Sequence, residues 1–138
     1  MRQYIAERID GFPPIKNHAK SMWNDADQLP RLRRLRLALL AAMKGEPPLN
    51  ANIRMVVRVH VGPANTKGTG DLDNYLGGIC DGLQSAKGVW PLWEGPDCQD
   101  IHPCNKIAVV DDYAIVAIDA QKIIGPGEPW YSVELSGE

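Results

Sequence analysis

Gly70-Asp71-Leu72-Asp73-Asn74-Tyr75-Leu76-Gly77-Gly78-Ile79-Cys80-Asp81-Gly82 is the stretch on which the reading of this chain turns. Asp71 and Asp73 stand where a glycine-rich segment, Gly62–Gly70, runs into a helical pattern. Over Leu72–Ala86, the residues Leu72, Tyr75, Leu76, Ile79 and Leu83 recur on one helix face, with Asp73, Gly77 and Gln84 on the other. Gly77 and Gly78 sit inside that helix, where each costs about 1 kcal/mol relative to alanine. Something must therefore approach the backbone closely there, whether a neighbouring element, a partner subunit or a substrate.

Outward from this helix the pattern is mixed. Tyr4–Ile9 alternates as a strand and is ended by Asp10-Gly11 and Pro13-Pro14, and Ile15–Asp27 has the polar mixture of a loop. A second helix is predicted from Pro30 to just before Gly45-Glu46-Pro47-Pro48. It would bury Leu32, Leu35, Leu39 and Ala42 or Met43, leaving Arg31 and Arg34 off the stripe. Ile53–Val61 alternates with Arg54 and Arg58 on one face, Tyr113–Ile124 reads as the longest strand, and Trp130–Leu135 as a closing one. The segment between, 87–106, has little periodicity. With no internal repeat and no linker, residues 1–138 are expected to form one α+β domain, two helices among four or five strands.

Composition narrows the function classes. An apolar content of 44% is ordinary for a globular chain, and a net charge of −2 requires that any nucleic-acid surface be a local basic patch. Arg31, Arg33, Arg34 and Arg36 offer one such patch, to hold phosphates, or else a solvated helix face. No stretch is long and apolar enough for a membrane span, and Met1-Arg2-Gln3-Tyr4 has no signal-peptide character, so a cytoplasmic location without membrane partners is expected. Three cysteines, an odd number, argue against a disulfide framework.

The chemistry-bearing residues are acidic. Asp111-Asp112 enters an apolar strand as Asp71 and Asp73 enter a helix, and if the two entry points meet, several oxygens converge where a hard divalent cation would bind. The same residues also suit capping: Asp71 and Asp73 complement a helix N-terminus and Asp111-Asp112 a polar turn. A calcium loop is excluded, because the sixth position counted from Asp71 is Leu76 and the twelfth is Gly82. Asp81 stands eight residues past Asp73, about 12 Å along a helix, and reads as a supporting residue instead of a shared ligand. Cys98, His102 and Cys104, with Cys80, have no standard zinc spacing, and Cys80 reads as core. Trp90 and Trp93 suit either base stacking or anchoring of the irregular segment. Lys67 is followed by Gly68, so there is no phosphate-binding loop of the Walker type, and His18 and His60 have no partner in sequence.

Asp71-Leu72-Asp73-Asn74 opening a helix, Cys80-Asp81-Gly82-Leu83 closing it, and Asp111-Asp112 before the last strands resemble the RusA-type Holliday junction resolvases. These are small endodeoxyribonucleases of DNA recombination and repair, often encoded by prophages. Gly11-Phe12-Pro13-Pro14 after the first strand and Lys122 in the late strands fit the same pattern. The resemblance implies a homodimer, each subunit a small mixed β-sheet with two main helices packed on it. It implies Mg²⁺, for which Mn²⁺ would substitute, held by catalytic Asp71, Asp73 and Asp112 with Asp111 beside them, and paired cuts across a four-way junction. Arg31, Arg34, Lys67 and Asn74 would contact nucleic acid, Asn74 falling on the family's asparagine.

Two departures stand out. The family's helix carries a lysine six residues after the first aspartate, a position that is Gly77 here, with Lys67 as a substitute from the loop. The path from helix to Asp111-Asp112 is also longer. A branched-DNA-binding protein that kept the fold and lost cleavage is the alternative, and an interaction module with a structural cation a third.

Overall fold

Alternation in Ile53–Val61 organises the sheet. Ile53, Met55, Val57, Val59 and Val61 are buried along one face of this strand, while Arg54, Val56, Arg58 and His60 point away. A computed structural model describes residues 1–16, 21–63 and 71–138. Its elements are β1 (Arg2–Asp10), α1 (Leu29–Met43), β2 (Ile53–Val61), α2 (Leu72–Leu83), β3 (Ile115–Ile124) and β4 (Trp130–Gly137). The sheet has the order β1-β4-β2-β3, with β2 and β3 parallel and the other pairs antiparallel. The molecule is thus an α+β fold, a small mixed four-stranded sheet with two main helices, as its sequence pattern predicts. Lys67, His18 and most of the Gly62–Gly70 loop lie outside the described residues.

Both helices cover the same face of the sheet. Leu35, Leu39 and Met43 of α1 and Tyr75, Ile79 and Leu83 of α2 join one apolar cluster with the inward residues of β1, β2 and β4. In β1 a register shift between Ala6 and Ile9 preserves that cluster: Tyr4, Ala6 and then Ile9 face inward, one residue later than strict alternation allows. Helix α1 starts with Pro30 in its first turn and stops where Lys44 (φ 51) and Gly45 (φ 81) turn left-handed.

Three boundaries differ from the sequence pattern. Within 15–27 the described residues include a 3-10 turn, Met22–Asn24, whose Met22 and Trp23 are buried. β3 begins at Ile115, because Asp112–Ala114 forms a 3-10 turn. α2 ends at Leu83 instead of Ala86, and Arg36 supplies the reason. Its guanidinium donates from Nε to Ile101 O (2.8 Å), from Nη1 to Gly82 O (2.7 Å) and Gln84 O (3.3 Å), and from Nη2 to His102 O (2.8 Å) and Asn105 O (2.6 Å). The carbonyls that would continue the helix are thus taken by a side chain.

Arg36 is fully buried, over the Trp23 ring at 5.1 Å, so it is neither a phosphate contact nor part of a solvated face. It falls four residues after Leu32 and three before Leu39, on the apolar stripe itself. Burial lowers its pKa to about 10, which leaves it cationic at neutral pH, and Cys104 partly opposes the shift. The guanidinium draws the 99–105 segment onto α1, where Trp93 closes a second apolar cluster with Met22, Trp23, Leu32, Cys98 and Ile101. The Trp93 indole donates to Trp23 O (3.0 Å) and that of Trp90 to Ala86 O (3.1 Å), so both tryptophans anchor the irregular segment. Among the described residues no helix is long and apolar enough to cross a membrane.

The paired glycines of α2 have separate roles. A Cβ on Gly78 would overlap the carbonyl of Pro14 and come within 3.0 Å of Ile15 N, all backbone, whereas one on Gly77 would meet, among the described residues, just the Lys16 side chain at 3.8 Å. The close neighbour foreseen from the glycines is therefore the strap of chain that follows β1. Gly78→Ala is expected to lower the free energy of unfolding by about 1–3 kcal/mol through overpacking, and Gly77→Ala to raise it by up to about 1 kcal/mol through helix propensity. Urea titration of the two variants checks the contrast; equal effects would place the strap elsewhere. Arg36→Met should cost at least about 3 kcal/mol, since it strands several buried carbonyls, and Arg36→Lys should recover only part, having fewer donors in a different geometry. A loss under about 1 kcal/mol in the same titration would show that water replaces the guanidinium.

Candidate active site

The first turn of α2 carries Asp71, Asp73 and Asn74, all exposed. Asp71 is the N-cap residue by position, with extended backbone (φ −83, ψ 159), and its carbonyl accepts from Tyr75 N at 3.2 Å. Its side chain makes no capping hydrogen bond among the described residues, so the helix cap does not consume this carboxylate. Asp73, in the first turn, complements the helix dipole. Asp73, Gly77 and Asp81 then follow one another at four-residue steps, along one side of the helix, with about 6 Å of rise between each.

Asp111 and Asp112 divide their roles. Asp111 (φ −160, ψ 150) caps the 3-10 turn before β3, its carboxylate accepting from Tyr113 N at 3.3 Å. The capping reading therefore holds for Asp111. Asp112 is exposed and has its pKa raised, first by partial desolvation and then by the Asp111 carboxyl, against an opposite effect of the Gln84 side chain, with the charge of Asp81 adding least. The thiol of Cys80, half-buried against the core, is pushed up to about 11 by burial and then by Asp112 and Asp81. Asp112 thus lies on the side of α2 that carries Cys80, Asp81 and Gln84. Asp73 lies about 12 Å from Asp81 along the helix axis.

The strap over α2 completes the constellation. Gly11 N donates to Pro129 O (2.9 Å), Arg31 Nη1 to Pro13 O (3.3 Å), and Ile15 N to Gln28 Oε1 (2.8 Å), while the Phe12 ring stacks on Tyr75 at 6.3 Å. Held this way, Lys16 reaches Asp81, with Nζ 3.2 Å from Oδ2. Asp81 is therefore half of an ion pair at the edge of the acidic side, in keeping with the supporting role its spacing from Asp73 implies.

The arginine patch shrinks on inspection. Arg33 donates to Leu92 O (3.1 Å) and lies over Trp93, and Arg36 is buried, so neither reaches outward to a phosphate. Arg31 is half-buried, over Phe12, with its hydrogen bond to the strap, whereas Arg34 is exposed and lies against Gly11. The zinc alternative finds no support: Cys98 is buried in the tryptophan cluster, Cys104 is exposed, and His102 Nδ1 accepts from Cys104 N at 3.1 Å.

Among the described residues, no three His, Cys, Asp or Glu side chains form a group that would hold a metal ion. The donors nevertheless suit Mg²⁺ in kind, since Asp112 carries carboxylate oxygens whose ionisation its acidic neighbours oppose, and a cation would relieve that opposition. Mg²⁺ ordinarily takes one or two carboxylates together with waters and substrate phosphates, and does not need a closed protein cage. No family model matches this chain, and no match to a curated protein was found.

A raised carboxyl pKa makes the folded state bind more protons than the unfolded one, so this contribution to stability is present at low pH and is lost as pH rises through the folded pKa of Asp112. Asp112→Asn should accordingly raise the melting temperature slightly at neutral pH in the absence of divalent cation, with the gain fading toward acid. Thermal melts across pH check this. A variant less stable than the wild type at neutral pH would assign Asp112 a stabilising structural contact.

Proposed function

We propose that this chain is a Mg²⁺-dependent, structure-selective endonuclease of the RusA type, acting as a homodimer on four-way DNA junctions. The observation that carries this reading is geometric: the chain bonded through Ile107 N to Leu83 O brings the Asp111-Asp112 turn, at the entry to β3, to the flank of α2. Carboxylates from a strand entry and from a helix that begins Asp-Leu-Asp-Asn thus belong to one neighbourhood. Asp71, left free of capping duty, Asp73 and Asp112 would hold the cation, with Asp111 fixing the turn that carries Asp112.

Bound Mg²⁺ would supply neutralisation of the phosphate charge and activation of water in hydrolysis of the phosphodiester. The residues of the chain orient that reaction. Asp71 and Asp73 sit at the helix N-terminus, whose unpaired N–H groups favour an anion such as phosphate, and Asn74 presents an exposed amide beside them. Arg34 would engage the DNA backbone away from the cut, with Arg31 a lesser contact because the strap already uses it. A two-fold dimer would offer two such sites to a branched substrate with matching symmetry. A cytoplasmic location accompanies a DNA substrate of this kind.

Binding of branched DNA without efficient cutting is the second reading. Gly77, at the position where the family's helix carries a lysine, favours it, as does the absence among the described residues of a group of three metal-ligating side chains. A synthetic four-way junction incubated with the protein and Mg²⁺ distinguishes the two. Symmetric nicks, reduced at least about 100-fold in Asp73→Asn, are expected. Tight junction binding with no product at any Mg²⁺ or Mn²⁺ concentration supports the second reading, and absence of junction affinity overturns both.

A further inference from the structure

We infer that Lys16 is the phosphate-contacting cation of the α2 site, supplied by the strap that crosses the helix at Gly78 instead of by the helix itself. The inference rests on the nuclease reading and adds a residue to it.

Four observations converge. First, the strap lies directly on the α2 backbone: Gly78 leaves room for the Pro14 carbonyl, and any Cβ there would displace it. Second, the Lys16 stem runs over Gly77, its Cβ and Cδ at 3.8 and 3.9 Å from where a Gly77 side chain would begin, so Lys16 occupies the side of the helix that Gly77 leaves bare. Third, its ammonium meets Asp81 at 3.2 Å, on the side of the helix that also carries Asp73. Gly77 stands one helical turn from both Asp73 and Asp81, about 6 Å each way, within the reach of a four-carbon stem.

Fourth, the Lys16–Asp81 pair is open enough to exchange partners. Its side chains are 54% and 31% exposed, and open pairs of that kind contribute little to folding. The backbone of the strap, by contrast, is tied to β4, α1 and α2 by the contacts of Gly11, Pro13, Ile15 and Phe12. A fixed root with a solvent-accessible tip is the arrangement of a side chain that moves onto a substrate. In the free protein Asp81 holds the ammonium ready. When a phosphodiester enters, the ammonium would turn to a non-bridging oxygen and neutralise charge on the face away from the carboxylates. Water oxygen bonds to phosphorus and gives one proton to solvent as the bond to the 3′ oxygen breaks, that oxygen taking a proton from solvent. Lys16 itself neither gains nor loses a proton.

The test measures single-turnover cutting of a four-way junction in Mg²⁺ by the wild type, Lys16→Met, Lys16→Arg and the double variant Lys16→Met/Gly77→Lys. Lys16→Met should slow cutting about 100-fold with junction affinity changed less than about threefold, a loss in the chemical step and not in binding. Its melting temperature should stay within about 2 °C of the wild type, because the pair it breaks is exposed. Lys16→Arg should retain a substantial part of the rate. The double variant roots a lysine on the helix directly beneath the same space and should recover at least about tenfold of the loss. Cutting by Lys16→Met within about threefold of the wild type overturns the assignment while leaving the nuclease reading intact. A loss reversed by neither Lys16→Arg nor the double variant overturns it also, as a structural effect. If the wild type binds the junction and never cuts it, the nuclease reading fails and this assignment falls with it.

Discussion

The buried guanidinium of Arg36 is the constraint on which the remaining structure depends. A charge removed from water is tolerable only when its donors are satisfied, and here Nε, Nη1 and Nη2 together make five hydrogen bonds to main-chain carbonyls. Those carbonyls come from the end of α2 and from the irregular segment after it. A single residue of α1 therefore fixes where α2 stops and where the following chain lies, although that chain has little regular structure of its own. The same segment returns through Ile107, whose N–H bonds Leu83 O at 2.8 Å, and through Val109, bridged to Leu49. The turn bearing Asp111 and Asp112 is delivered to the flank of α2 by this route.

Close approach of backbones is the second constraint. Tyr75, Ile79 and Leu83 turn one side of α2 into the core, and Gly78 lets the Pro13–Lys16 strap rest on another. Glycine weakens the helix locally, and the strap offsets that loss with its hydrogen bonds to Arg31 and Gln28 and with the Phe12–Tyr75 stack. Two sides of the helix are thereby occupied, while Asp71 and Asp73 at its start stay exposed. The helix is at once a core element and the carrier of the candidate site's first carboxylates.

Much of the fold was legible because it rests on local periodicity. The two-residue alternation of Ile53–Val61 and the three- and four-residue spacing of Leu32, Leu35 and Leu39 identify β2 and α1 without reference to the rest of the chain. The glycine pair announced a close neighbour, though not which one. Arg36 was misread because arginine is a frequent surface residue, even though its position among Leu32, Leu35 and Leu39 marks it as inward-facing. Lys16 carries no local signal: it follows Pro13-Pro14 in a segment without periodicity, and its contacts are with a helix more than fifty residues away.

The sequence by itself determined the α+β class, the strands and helices, and the acidic residues that begin α2 and precede β3, because these follow from side-chain spacing within single elements. Only the tertiary structure decided that the Asp111-Asp112 turn lies at the flank of α2, that Arg33 and Arg36 turn inward, and that Lys16 lies over Gly77. Each of these depends on contacts between segments distant in sequence, whose geometry is fixed by packing and by the hydrogen-bond demands of buried groups. Local pattern carries no record of those demands.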